Sequence, residues 1–232
     1  MIRAYISELI ATYALVLLGT LSVTVSIVWF KSPPLATLLI GFTHGLVIAV
    51  MIYSIGHISG GHINPAVTIA LMATKKISLF NGIMYIIFQL LGAFFGALTH
   101  ALLLPIGKEV HYGLNLPGTD PTTGHKLSDF TVFGIEIILT FFLIFVIFGT
   151  VVSGKAPIGW GGFAIGMTIT LDHFIGIPLT GASMNPARTF GPAIVSALQG
   201  LPRAFDAHWA YWLGPIIGGL IAALIYYYIL MK

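Results

Sequence analysis

Polar residues are scarce along this chain, and the apolar stretches between them are long. Their pattern predicts six membrane-spanning helices, approximately Ala4–Phe30, Ala36–Ile55, Leu79–Leu104, Asp129–Val152, Pro157–Phe174 and His208–Met231. A span needs roughly 20 apolar residues to cross about 30 Å of hydrocarbon. The first stretch is too long for a signal-peptide hydrophobic region and no clear cleavage site follows it, so a retained helix is expected. One long hydrophilic connection, residues 105–128, is rich in Gly, Pro, Thr and His and reads as an extramembrane loop.

The spacing of the rare polar residues reveals an internal repeat. "ELIAT" (Glu8 to Thr12) recurs as "EIILT" (Glu136 to Thr140), 128 positions later. "GFTHG" (Gly41 to Gly45) recurs as "GFAIG" (Gly162 to Gly166) at an offset of 121, and "SGGHINPAVT" is echoed by "TGASMNPART" at the same 121. "QLLGAFFGA" (Gln89 to Ala97) returns fainter as "YWLGPIIGG" (Tyr211 to Gly219), glycines offset by 122. The chain therefore reads as one domain, 1–232, with repeat one at about 1–104 and repeat two at about 129–232. The Val152–Pro157 loop is expected to join the halves. Three spans per half is an odd number, so the second half sits upside down relative to the first, an inverted repeat. Gly92, Gly96, Gly214, Gly218 and Gly219 are expected to let helix backbones approach closely.

Each repeat also holds an Asn-Pro-Ala triplet: Asn64, Pro65, Ala66 and Asn185, Pro186, Ala187. Asn is a favoured N-cap, and Pro at the first helical position loses no hydrogen bond. Each triplet thus starts a helix. The run after Asn64 is about 10 residues, roughly 15 Å, half a membrane. Its N-terminus must lie at membrane depth, behind an irregular segment that lipid does not tolerate unless it is buried or lines a wet cavity. Two such half-helices meeting end to end describe a polar pore through an apolar bundle. Backbone carbonyls of Gly60, Gly61, His62 and Ile63, and of Gly181, Ala182, Ser183 and Met184, would replace hydration along it. The Asn side chains would donate N–H groups to a passing water.

Composition narrows the function. With 57% hydrophobic and 7% charged residues, the chain cannot cover a water-soluble globule with charge. Its basic residues are scattered, which argues against nucleic-acid binding. No Cys is present, so disulfides and thiolate chemistry are excluded. No nucleophile–base pair or ligand cluster appears, so neither an enzyme nor a cofactor is expected. Arg3, Lys75, Lys76, Lys155 and Lys232 would share one side of the membrane, and Lys31, Lys108, Lys126 and Arg203 the other. The positive-inside rule then makes the first side, with both termini, cytoplasmic in the cell membrane.

Two kinds of charge lie within the spans. Arg188 follows Asn185 by three positions, where repeat one has Val67, and a membrane Arg marks a pathway by default. Its charge would repel cations while its donors bind water. Glu8 and Glu136 admit two readings, proton-coupled transport or acceptance of amide hydrogen bonds from the re-entrant loops. Their repeated placement one turn from Thr12 and Thr140 favours the second.

Over its whole length the chain resembles the aquaporins of the major intrinsic protein family, on the evidence of six spans, paired half-helices, "SGGHINPAVT" and "NPARTFGP". The resemblance implies a passive channel for water or small neutral solutes, assembled as a homotetramer in the lipid bilayer. It also implies a selectivity filter of His44, His173, Ala182 and Arg188, with loop support from Glu8 and Glu136. His44 departs from the usual pattern, which has a hydrocarbon ring there, and this opens passage to ammonia or another small neutral solute. Glycerol-conducting relatives carry Asp after the pore Arg and lack an aromatic pair early in the sixth span. Here Thr189 and Tyr211-Trp212 stand, which resembles the water-channel-type subgroup. A glycerol facilitator and an ion-coupled transporter are the alternatives. His57 and His100 are expected to be structural, and His62 to orient its loop.

Overall fold

A computed structural model describes residues 1–231, leaving Lys232 outside the described residues. It is all-helical: the described residues contain no strand, only an isolated bridge between Thr119 and Lys126. The elements are α1 (Ile2–Thr24), α2 (Pro33–Ser59), α3 (Pro65–Ala73), α4 (Leu79–Leu103), α5 (Asp129–Ile147), α6 (Gly161–Thr180), α7 (Pro186–Leu198) and α8 (Ala210–Ile225). Short π-helical turns prolong α1 to Phe30, α5 to Val152 and α8 to Leu230. Six of these helices are long and apolar enough to cross a membrane.

Burial runs opposite to that of a soluble protein. Leu102, Leu103 and Phe130 are about three-quarters exposed, while Glu8, Gln89, His100 and Glu136 are fully buried. That inversion is what a hydrocarbon solvent requires, because apolar surface lies comfortably against lipid and polar groups must be satisfied within the protein.

Packing follows the repeat. α1 lies on α4 as α5 lies on α8, and α2 crosses α6 between the halves. Each half-helix packs against the last span of the other repeat, α3 on α8 and α7 on α4. The α2–α6 crossing is backbone on backbone: a Cβ on Gly166 would overlap the Gly45 carbonyl, and one on Gly45 would overlap the Gly166 carbonyl. Gly92, Gly96, Gly214, Gly218 and Gly219 likewise sit where a Cβ would press into a neighbouring helix. Such close approach substitutes for the hydrophobic driving force that lipid cannot supply.

The expected boundaries need correction at three places. The loop around residues 153–160 connects α5 to α6, both in the second repeat, so it does not join the halves. Because α5 to α8 match α1 to α4 in order, the junction has to precede α5, and residues 104–128 form it. The fifth span begins at Gly161 and runs on to Thr180 through Gly176 and Pro178. Pro178 lacks the N–H that would reach back to the Phe174 carbonyl, and the helix ends two residues later. The junction is also not a plain loop: Pro105–Gly113 forms 3-10 turns, with left-handed backbone at His111, Tyr112 and Gly113.

Three contacts bear on the expected grouping of charges by side. Lys76 lies 5.2 Å from the centre of the Tyr227 ring, placing the end of α3 beside the end of α8. Lys126 and Arg203 both reach the Asp206 carboxylate, at 3.2 and 2.9 Å.

Candidate functional site

Both triplets form half-helix starts, as their chemistry dictates. The Asn64 side chain accepts from the Ala66 amide at 2.8 Å, and Asn185 from the Ala187 amide at 3.0 Å. Pro follows each cap at the first helical position. α3 has 9 residues, about 14 Å, and cannot cross a bilayer.

The caps also fasten to each other's loops. Asn64 Nδ2 donates to the Met184 carbonyl at 2.8 Å, and Asn185 Nδ2 donates to the Ile63 carbonyl at 2.9 Å. The two half-helix N-termini are therefore held face to face. One N–H of each amide is committed to this clasp, leaving one free.

The loops ahead of the caps share a backbone as well as a sequence. Left-handed φ occurs at Gly60, Gly61 and Ile63, and at the partners 121 positions on, Gly181, Ala182 and Met184. For Ile63, Ala182 and Met184 this conformation costs roughly 1–2 kcal/mol each and persists only where the surroundings impose it. Two buried carboxylates impose it. Glu8 accepts from Ser59 Oγ (2.7 Å), the amides of His62 (2.9 Å) and Ile63 (2.7 Å), and Gln89 Nε2 (2.8 Å). Glu136 accepts from Thr180 Oγ1 (2.7 Å) and the amides of Ser183 (3.0 Å) and Met184 (2.7 Å). Tyr85 and Tyr211 complete the support by donating to the carbonyls of Ser59 and Thr180. Thr12 bonds back to the Glu8 carbonyl, whereas Thr140 Oγ1 has no partner among the described residues.

A cavity of about 360 Å³ runs past both Asn residues. Gly60, Gly61, His62, Ser183 and Met184 border it, together with His44, His173 and Arg188. Ile63 and Gly181 do not; their carbonyls are taken by Asn185 and Asn115. Ala182 is fully buried and is not on the cavity border; its methyl packs on Gly176, where an added Cβ would meet it at 2.8 Å. Of the four residues expected to form a filter, Ala182 is therefore a small packing residue away from the cavity border, while His44, His173 and Arg188 border it.

The His44 and His173 rings lie against each other in a tilted pair, centroids 4.4 Å apart with 31° between planes. Each Nδ1 lies 2.8 Å from a carbonyl four residues earlier, that of Ile40 or Ile169. A carbonyl can only accept, so each Nδ1 carries the proton, and in the neutral imidazole each Nε2 is an acceptor. His44 Nε2 takes the Arg188 Nε–H at 3.1 Å. His173 Nε2 is buried without a partner among the described residues and is left as an acceptor beside the cavity.

Arg188 is 3% exposed and has no carboxylate within ion-pair distance among the described residues, Asp172 and Asp206 included. Three contacts hold it: His44, the Gly113 carbonyl at 2.7 Å and Asn115 Oδ1 at 3.0 Å. Its Nη2 makes no hydrogen bond to the described residues, so donors remain for a molecule in the cavity. Asn115 and Gly113 come from the junction and were not anticipated. Asn115 also takes the Thr189 hydroxyl at 2.9 Å and donates to Gly181 at 2.8 Å, tying Arg188, α7 and the second loop together. Gly113 has φ of 69° and lies against Thr20, where a Cβ would sit 2.9 Å from the Thr20 Cβ. The other histidines stand apart: His100 bridges Thr20 and Thr24 at 2.8 and 3.0 Å, and His62 Nδ1 lies 3.1 Å from Thr68.

Known proteins resemble this chain in sequence and in fold. Aquaporin-5 of Ovis aries is 37% identical over 230 residues, 99% of this chain and 81% of that protein. Aquaporin-4 of Mus musculus is 40% identical over 229 residues, 98% of this chain and 67% of that protein. The X-ray structure of an aquaglyceroporin from Plasmodium falciparum superposes with a TM-score of 0.87 at 24% identity, covering 99% of this chain and 96% of that one, which is a likeness of fold. The sequence matches the major intrinsic protein family over residues 1–226, and the chain belongs to that family.

Proposed function

We propose that this protein is a passive membrane channel that conducts water, and ammonia or another small neutral solute with it, while excluding protons and ions. The carrying observation is the reciprocal clasp of Asn64 and Asn185 beside a continuous cavity. Two helix N-termini converge there, each equivalent to roughly half a positive elementary charge, so a cation meets a barrier and a neutral molecule does not. A water between the Asn residues accepts their free N–H groups and must turn both of its own hydrogens outward to carbonyls. That orientation interrupts a proton wire.

His44, His173 and Arg188, with Ala182 packed behind them, act as the filter. Arg188 offers donors and repels cations, and His173 Nε2 offers an acceptor. A permeant that both donates and accepts, in a small volume, matches this set. The aquaporin relatives support water as the main solute, and Thr189, engaged by Asn115, fits that subgroup better than a glycerol facilitator. Glu8 and Glu136 act as scaffold, each saturated with loop donors, which speaks against ion-coupled transport. The chain acts as one channel domain in a homotetramer, with both termini on the cytoplasmic face of the cell membrane.

Stopped-flow light scattering on proteoliposomes tests the reading. The expected result is osmotic shrinkage well above that of empty vesicles, insensitive to voltage and pH gradient. Shrinkage no faster than empty vesicles, or solute accumulation against its gradient, would falsify it.

A further inference from the structure

A second polar cluster lies inside the bundle, and none of its members borders the cavity. His100 on α4 is fully buried and bridges two hydroxyls of α1, with Nδ1 2.8 Å from Thr20 Oγ1 and Nε2 3.0 Å from Thr24 Oγ1. The Thr20 hydroxyl gives its one hydrogen to the Leu17 carbonyl at 3.3 Å. The neutral imidazole therefore donates to Thr20 through Nδ1 and accepts from Thr24 at Nε2. Both ends of the ring are fixed.

Helix packing alone does not call for this cluster. Its counterparts in the second repeat are Phe148 and Val152 at offset 128 and Ala222 at offset 122. Phe148 and Ala222 are buried in the apolar core and Val152 packs against it. The equivalent helix pair, α5 on α8, thus closes with an apolar contact where α1 on α4 carries a polar one. A His within a membrane span is costly and marks a functional position by default. What sets the first repeat apart is the junction, whose 3-10 turns pack on α1 and α4.

Three contacts lay the junction on the cluster. The Tyr112 ring stands edge-on to the His100 ring, centroids 5.5 Å apart. A Cβ on Gly107 would lie 2.6 Å from His100 Nε2. A Cβ on Gly113 would lie 2.9 Å from Thr20 Cβ and 3.0 Å from Thr20 Cα, so the junction backbone rests on Thr20 directly. The Gly113 carbonyl in turn accepts from Arg188 Nη1 at 2.7 Å. His100, Thr20, Gly113 and Arg188 therefore form a chain in which each touches the next. Left-handed backbone at Tyr112 persists only where the surroundings impose it, and the His100 ring is part of that constraint.

We infer that His100 is a positioning residue of the filter: by locking Thr20 it sets the seat of the Gly113 carbonyl, and so fixes one of the three contacts that hold Arg188. The inference rests on the channel reading above. A junction that shifts on its seat loosens the Arg188 guanidinium and admits solutes larger than water.

The test uses the full-length protein in vesicles and reads the ratio of glycerol flux to water flux. Asn places an amide where Nδ1 stands and Gln places one where Nε2 stands, so His100→Asn keeps the Thr20 bond and His100→Gln keeps only the Thr24 bond. His100→Leu keeps neither. The ratio is expected to rise about two- to tenfold in the Leu and Gln variants, the factor that one net hydrogen bond corresponds to, and to stay near wild type in His100→Asn. Gly107→Ala presses on the ring from the junction side and is expected to raise the ratio too, which decides the question should the His100 variants not reconstitute. A role in stability alone would lower the thermal midpoint and leave the ratio unmoved. Equal ratios in the Asn and Gln variants, or a wild-type ratio in His100→Leu or Gly107→Ala, overturn the assignment and leave the channel standing. A wild-type protein that shows no accelerated osmotic shrinkage overturns both.

Discussion

Arg188 Nε donates to His44 Nε2 across 3.1 Å, so the residue that departs from the usual aquaporin pattern is also the one that holds the buried guanidinium. A hydrocarbon ring at position 44 accepts no such bond. His44→Phe is therefore expected to narrow the passage and to free one Arg188 donor together. Flux of solutes larger than water should fall by about tenfold, the equivalent of about 1.4 kcal/mol in barrier. Unchanged or higher urea and ammonia flux in vesicles would remove His44 from the filter.

Arg188→Val copies into the second repeat the residue that the first repeat carries at Val67. It removes a charge held by three contacts, leaves His44 Nε2 and the Gly113 carbonyl without their donor, and leaves Asn115 Oδ1 with the Thr189 hydroxyl alone. Larger neutral solutes should enter, and protons should leak. Glycerol uptake alongside a pH-sensitive dye inside the vesicles checks both, and a wild-type selectivity profile would sink the assignment.

Asn115→Leu conserves volume and removes three hydrogen bonds, those to Arg188, Thr189 and Gly181. Unpaired buried groups cost about 1–3 kcal/mol apiece, so stability should drop by roughly that much or more. Selectivity should loosen as well, because Arg188 keeps only His44 and Gly113. The two readouts are thermal unfolding in detergent and the glycerol-to-water flux ratio. A drop in stability with unaltered selectivity would limit Asn115 to a packing role.

Glu8→Gln and Glu136→Gln turn an acceptor-only carboxylate into a group with its own N–H donors facing amides of the loop. Ile63 and Met184 hold left-handed backbone that these carboxylates stabilise. Each variant is expected to lose about 2 kcal/mol or more, with loss of water flux in proportion to the protein that fails to fold. Full folding with normal flux in both variants would show that the loops hold their shape without the charge.

Much of this architecture was legible because hydrocarbon permits so few solutions. Apolar run length located the spans, and a helix too short to cross fixed where Asn64 and Asn185 had to lie. Constant offsets exposed the duplication, since rare polar residues stand out against Leu and Ile. Boundaries were less legible where a breaker falls near a helix end: Gly176 and Pro178 imply a stop, yet α6 continues to Thr180. The junction was opaque for a different reason. Asn115 and Gly113 have no counterpart in either repeat, and their meaning comes from contacts about 70 positions away with Arg188. The signal, in hindsight, was an Asn flanked by two leucines in an otherwise hydrophilic connection.

The reciprocal Asn amides have a consequence for biosynthesis. The Ile63 carbonyl, deep in the first repeat, is completed only by Asn185, which emerges from the ribosome 122 residues later. Residues 1–104 therefore enter the bilayer with a turn still missing its donor and must hold it there, unfinished, until the second repeat is inserted. Maturation of the passage is thus a single event at the end of synthesis, and a chain truncated before Asn185 would be expected to expose the first loop to proteases that the complete protein resists.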